Sequence, residues 1–218
     1  MNRVSYLVDG FNLYHSAREA AKDLNISTKW LDIKKLCSIY LPLIGSLVKD
    51  KSKLEKVYYF SALAYHVEEY DPHVTNRHKK LIKCLEDTGI LVEIHRFKEK
   101  RVKCNAINGC GKEFIKYEEK ETDVAIAVKL MEVFFNDECD TVVLVTGDTD
   151  IVPAITTAKR LFPQKNMFFA FPYKRKNNEL SRIAPGSFKI KAKQYEKTQF
   201  PDPYKLSDGK IINKPSSW

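Results

Sequence analysis

Thr141-Val142-Val143-Leu144-Val145 runs directly into Thr146-Gly147-Asp148-Thr149-Asp150, and this passage decides the fold class. A run of β-branched and apolar residues with no polar alternation marks a strand buried on both faces. Glycine and aspartate then punctuate the chain, and Pro153 can occupy the first turn of a helix carrying Ala154, Ile155, Ala158 and Leu161. Working outward, the same kind of run recurs. Val4-Ser5-Tyr6-Leu7-Val8 ends at Asp9-Gly10, and Met167-Phe168-Phe169-Ala170-Phe171 ends at Pro172. Val57-Tyr58-Tyr59-Phe60 and Ile90-Leu91-Val92-Glu93-Ile94 are two further strand candidates.

The intervening segments carry helical periodicity. Residues 12–23 and 31–48 read as helices, the second bent or broken at Pro42. Asp71-Pro72 supplies an N-cap and a first-turn proline for a helix with Val74, His78, Leu81, Ile82 and Leu85, and Gly89 sits just past its end. From Thr122 to about Phe135, Val124, Val128, Met131 and Phe135 share one face, with Ala127, Leu130 and Phe134 beside it. Strands alternating with helices predict βαβ units, and hence a three-layer α/β/α sandwich around a central, mainly parallel sheet. Residues 1–195 are expected to form this domain. Residues 95–120 interrupt it as a polar, basic insertion long enough to be functional. Residues 196–218, with Pro201, Pro203 and Pro215, read as a tail on the surface or disordered.

Composition narrows the class. Of 218 residues, 44 % are apolar and 30 % charged, enough to build a core and too apolar for intrinsic disorder. No apolar run approaches the roughly 20 residues that span a bilayer, and Asp9 interrupts the N-terminal run too early for a signal peptide. Five cysteines, at 37, 84, 104, 110 and 139, make an odd set in mostly apolar or helical context. A reducing, cytoplasmic setting is therefore expected, with no disulfide framework and no membrane partner. Lys and Arg number 37 against 28 Asp and Glu, a net charge of +9. Such a surplus favours anionic partners, nucleic acid first and anionic membrane second, although many intracellular proteins of similar pI bind neither.

Ligands of an open parallel sheet gather at the carboxyl ends of its strands, and there the sequence places carboxylates. Asp9 ends the first run and Asp148 and Asp150 follow the central one, while Asp123 opens the helix between them. If the two strands are neighbours, all four converge. Clustered carboxylates repel and are forced to take up protons unless a cation joins them. Mg²⁺ or Mn²⁺ suits an all-oxygen set, and two such ions can activate water and stabilise the leaving oxygen of a phosphodiester. Capping competes as an explanation, since aspartate is common at helix starts and favours the helix dipole.

Val8-Asp9-Gly10-Phe11-Asn12, Lys120-Glu121-Thr122-Asp123-Val124-Ala125-Ile126-Ala127 and Val145-Thr146-Gly147-Asp148-Thr149-Asp150 resemble the three signatures of NYN-domain proteins, part of the PIN-like metal-dependent nucleases. The resemblance runs from about residue 3 to 172. It implies a PIN-like sheet with strand one central, Mg²⁺ or Mn²⁺ held by Asp9, Asp123, Asp148 and Asp150, Asn12 as a polar catalytic-site residue, Thr146 lining the pocket, and RNA rather than DNA as the commonest substrate. Some members of the family have weak or undemonstrated activity, so the motif implies a site more firmly than a reaction.

Three basic clusters offer phosphate contacts. Arg77, Lys79, Lys80 and Lys83 also fit the solvated face of a helix. Arg96, Lys98, Lys100, Arg101 and Lys103 start the insertion. Tyr173, Lys174, Arg175 and Lys176, continuing to Arg182, Lys189, Lys191 and Lys193, follow a strand end with an aromatic beside the cations, and this cluster is expected to contact substrate. Lys120 lies close enough to Asp123 in sequence to reach a phosphate at the metals. Cys104 and Cys110, separated by five residues, are candidate Zn²⁺ ligands that His95 or Cys84 would have to complete, at a spacing wider than structural zinc sites prefer. His15, His66, His73 and His78 read as surface or helix residues.

The function expected is divalent-metal-dependent ribonuclease. The alternative is an RNA-binding or regulatory module whose acidic site is vestigial or structural. A haloacid-dehalogenase-type phosphatase would need a second aspartate two residues after the first, where this chain has Phe11 and then Asn12.

Overall fold

Val4, Tyr6 and Val8 pack on one side of the first strand and Leu7 on the other, and all four are buried. That explains the absence of alternation in the apolar runs: both faces of the sheet are covered. The computed structural model describes residues 1–104 and 110–218. In chain order its elements are β1 (Asn2–Asp9), α1 (Gly10–Leu24), α2 (Ile33–Ile39), α3 (Leu41–Val48), β2 (Ser52–Ala62), α4 (Val74–Asp87), β3 (Leu91–Lys103), β4 (Glu113–Lys120), α5 (Thr122–Phe135), β5 (Thr141–Val145), α6 (Val152–Leu161), β6 (Asn166–Phe171), α7 (Asn178–Ile183), β7 (Phe188–Lys189), α8 (Ala192–Lys197), β8 (Tyr204–Lys205) and β9 (Ile211–Ile212).

The sheet order is β4-β3-β2-β1-β5-β6-β7, and every pair is parallel except β3 with β4. β1 lies in the middle. Chain progression runs outward from it in both directions, toward β2 on one side and β5 on the other, so the loops after β1 and β5 flank a topological switch point. Val8 stands opposite Tyr59 of β2 and Val145 of β5, which brings the three strand ends level. α1, α2 and α4 pack on one face of the sheet, and α5, α6 and α7 on the other. This is the expected α/β/α sandwich with a mainly parallel sheet.

The helix expected over 31–48 is two helices, α2 and α3, and Pro42 stands in the first turn of the second. Asp71-Pro72 does not start α4. His73 occupies the cap position without a side-chain bond, and Asp71 instead accepts from the Arg77 guanidinium at 2.9 Å. α5 buries Ile126, Leu130, Val133 and Phe134, while Val124, Val128 and Phe135 of the stripe read from the sequence are exposed. A helix that is apolar most of the way round gives two candidate faces, and only the neighbouring sheet selects one.

Two further expectations change. The insertion 95–120 is largely a β-hairpin arm, with β3 and β4 paired antiparallel from Arg96↔Lys120 out to Lys103↔Glu113. Residues 196–218 are not simply a surface or disordered tail. Phe200 is buried against Trp30, Trp218 meets Trp30 edge-on at 6.2 Å, and Tyr204 and Ser207 hydrogen-bond the Asp87 carboxylate at the end of α4. Among the described residues, no helix is long and apolar enough to cross a membrane.

Candidate functional site

β1 ends at Asp9, whose carboxylate is buried and caps α1 by accepting the Asn12 amide at 2.9 Å. Its other oxygen accepts from the Thr146 hydroxyl, also at 2.9 Å. Thr146 in turn accepts the Asp148 amide at 3.1 Å, and the Asn12 side-chain oxygen accepts the Gly147 amide at 3.2 Å. The loops after β1 and β5 are thereby stitched together. Gly147 is required by close approach: a β-carbon there would stand 2.2 Å from the Arg175 carbonyl oxygen. Capping is real here, because Asp148 also accepts from the Asp150 amide at 3.1 Å to start the turn Thr149–Ile151. Caps at the ends of adjacent strands nevertheless remain a cluster.

α5 starts immediately after β4, and Glu121 makes the reversal with φ of +80°. Asp123 is thus delivered from the first turn of α5 to the same cleft, and Glu119 from the end of β4. The cleft, of about 370 Å³, is lined by Asp9, Glu119, Asp123, Asp148 and Asp150, with Asn12, Lys120 and Arg175 among its other walls. Burial pushes Asp9 up to about 6, against the hydrogen bonds from Asn12 and Thr146, and the charges of Asp123 and Asp148 add to the rise. Burial pushes Glu119 up to about 7, with Asp9 and Asp123 adding to it. Asp123 is raised by burial and then by Asp148 and Asp150. The site is therefore an oxygen-only, mutually repelling set, the donor chemistry that a hard divalent cation matches. Among the described residues, no group of three or more His, Cys, Asp or Glu stands in an arrangement that could hold a metal ion. The carboxylates share a cleft without closing into a cage.

The other expected site residues divide. Arg175 lines the cleft, pairs with Glu19 at 2.8 Å and leaves its Nε buried without a hydrogen-bond partner. Tyr173 and Lys174 do not line it, because both turn onto Asp23 at 2.7 Å. Lys176 is likewise not among the lining residues. Lys120 lines the cleft while bridging to Glu118 at 3.1 Å. The zinc expectation gains no support. Cys104 is half-buried and Cys110 exposed near the outer end of the hairpin, residues 105–109 between them lie outside the described residues, Cys84 is on the buried face of α4 in the core, and His95 stacks on Phe60. Sequence reasoning missed Glu119. Its signal was the alternation of Tyr117 and Glu119 along a strand, visible only once β4 is known to pair with β3.

Comparison with known proteins follows this geometry. The family model described as the NYN domain matches residues 3–191. A crystal structure of a protein of unknown function from Vibrio parahaemolyticus aligns with a TM-score of 0.51 at 16 % identity, covering 87 % of this chain and 93 % of that one. That likeness shows the fold alone. No curated protein matches.

Proposed function

The chain belongs to the NYN-domain family, a nuclease-like fold, and on that premise we propose that it is a divalent-metal-dependent ribonuclease. The observation that carries the reading is the convergence of Asp9, Asp123, Asp148 and Asp150 on one cleft at the switch point of the sheet, with burial and neighbouring charge pushing Asp9 up to about 6. These four carboxylates would hold Mg²⁺ or Mn²⁺. The ion would supply charge neutralisation at the phosphate and a more acidic water.

The remaining roles fall to the chain itself. Thr146 fixes the Asp9 carboxylate, and Asn12 holds the Gly147 loop against α1. Arg175 and Lys120, which line the cleft, would receive the phosphodiester at the rim, where its charge needs cationic partners. RNA is favoured over DNA on the family resemblance. Tyr173, Lys174 and Lys176 stay outside the cleft and would act, if on substrate at all, on more distant parts of the strand.

Thermal melts of wild type and Asp148→Asn, with and without Mn²⁺, run beside cleavage of a labelled single-stranded RNA, test the reading. Wild type should gain melting temperature with Mn²⁺ and cleave, because a ligand of the folded state stabilises it. Asp148→Asn should melt higher without metal, respond less to Mn²⁺ and lose cleavage. Cleavage retained by a nuclease-free preparation of the variant would overturn the assignment. The open arrangement of the carboxylates favours the second reading, an RNA-binding module. RNA binding with neither a Mn²⁺ response nor turnover would establish that reading instead.

A further inference from the structure

The hairpin arm builds a second cleft, of about 520 Å³, whose walls include Tyr65, His66, His95, Arg96, Phe97 and Tyr117. Its surface is aromatic. His66 lies on Tyr117 with ring centroids 4.3 Å apart and planes 14° apart, and meets Phe97 at 4.5 Å. Tyr65 and Tyr117 keep 55 % and 38 % of their surface exposed, and His66 covers one face of Tyr117.

Polar groups are present as well. Nδ1 of His66 and Nε2 of His95 are buried with no hydrogen-bond partner, a state that costs free energy unless something fills it. Cations stand at the rim: Lys79 Nζ lies 5.1 Å over the Tyr65 ring, and Arg96 is mostly exposed and pairs with Glu121 of the acidic cleft.

The two clefts are neighbours that share no lining residue. Phe97 meets Phe11 edge-on at 5.4 Å, and Phe11 lines the acidic cleft. Register places Phe97 directly opposite Glu119. Tyr117 is two residues before Glu119 on the same face of β4, about 7 Å away along the strand. A strand whose phosphate sits among the carboxylates therefore passes the aromatic cleft with its neighbouring nucleotide.

We propose that this cleft is a stacking subsite for an unpaired base of single-stranded RNA, adjacent to the phosphodiester held at the acidic cluster. The inference rests on the ribonuclease reading for its occupant and names the form of RNA that the site takes. Stacking accepts any base with a free π-face. A base inside a duplex offers none, so paired RNA gains nothing from this cleft.

The test uses the full chain in EDTA, so that binding is read without cleavage. The probe is a short single-stranded RNA carrying 2-aminopurine at successive positions, with a duplex of the same sequence as control. Wild type should quench the fluorophore at one or two successive positions. Tyr117→Leu should lose that quench and bind about tenfold more weakly, whereas Tyr117→Phe should retain both. His66→Leu provides a second, independent variant, and circular dichroism melts check that each variant folds. Duplex affinity should be the same for all four proteins.

Wild-type affinity and quench in both leucine variants, with cleavage still dependent on Asp148, would overturn the subsite and leave the nuclease reading standing. Equal losses on duplex and single strand would also overturn it. A quench that depends on Tyr117 in a protein that never cleaves would support the subsite while removing the nuclease. Wild type that binds single strand no more tightly than duplex would overturn the subsite, while the nuclease reading stands or falls on cleavage in Mn²⁺.

Discussion

The Asp9 carboxylate accepts the Asn12 amide with one oxygen and the Thr146 hydroxyl with the other, and it does so buried beside Asp123 and Asp148. Those hydrogen bonds favour its charge, but burial outweighs them and lifts it to about 6. The sign for stability follows. A group raised on folding contributes stability in full below its unfolded value near 4, and loses it as pH rises through the folded value near 6. Without metal at pH 7, the ionised Asp9 should cost up to about 3 kcal/mol. Asp9→Asn keeps an N-cap of equal quality and removes the charge. Its urea midpoint in EDTA should therefore overtake that of wild type between pH 4 and 6 and stay ahead at pH 7. A variant weaker than wild type at pH 7 would show that the hydrogen bonds, not the burial, dominate. The four aspartates were legible because each stands at a strand end or helix start. Glu119 was not, since nothing local separates it from the charged residues around it.

At the scale of elements, the buried strands were legible and the hairpin was not. β1, β5 and β6 carry unbroken apolar runs because helices cover both faces. β3 and β4 extend past that cover, so their outer halves alternate charge with exposed aromatics and aliphatics, such as Phe114 and Ile115. A polar stretch of this kind reads as an excursion until its register is known. The pairs of Glu118 with Lys100, Lys116 and Lys120 lie on exposed strand surface, where solvent and salt screen ion pairs and they add little to stability. Replacing residues 100–116 by Asn-Gly closes the hairpin beyond Glu99↔Tyr117 with a favoured two-residue turn. The shortened protein should melt within a few degrees of wild type, because the described residues of the removed part pair with one another along the hairpin. It should bind RNA several-fold more weakly at low salt, having lost five or more cations, yet keep a 2-aminopurine quench that depends on Tyr117. Loss of the quench would mean that the outer arm positions the aromatic cleft rather than merely adding charge.

Over the whole molecule, a net charge of +9 coexists with a cleft of six carboxylates, Glu121 included. Composition alone makes the protein a generic partner for polyanions, whereas the fold gathers negative charge where the proposed ribonuclease reading places the scissile phosphate. The Lys and Arg side chains that line it are already paired, Arg175 with Glu19 and Lys120 with Glu118. Their positive charge is partly spent before substrate arrives. The C-terminal segment shows the same limit of composition. Its prolines suggested a loose tail, but Trp218 and Phe200 close over Trp30 from far along the chain, which no local pattern reveals. If phosphate approaches the acidic cluster, metal-free wild type must repel it, and a lost carboxylate must help binding. One charge about 6 Å away in water is worth roughly 0.7 kcal/mol, or about threefold in affinity. In EDTA at low salt, Asp148→Asn should accordingly bind single-stranded RNA about threefold more tightly than wild type while failing to cleave it in Mn²⁺. The gap should shrink toward 1 M salt, where screening reaches only about 3 Å. In Mn²⁺ wild type should recover the difference, since the cation neutralises what the substitution removed. Fluorescence anisotropy across a salt series reads all three. Equal affinities at low salt in EDTA would mean that RNA reaches the protein without its phosphate entering the cleft.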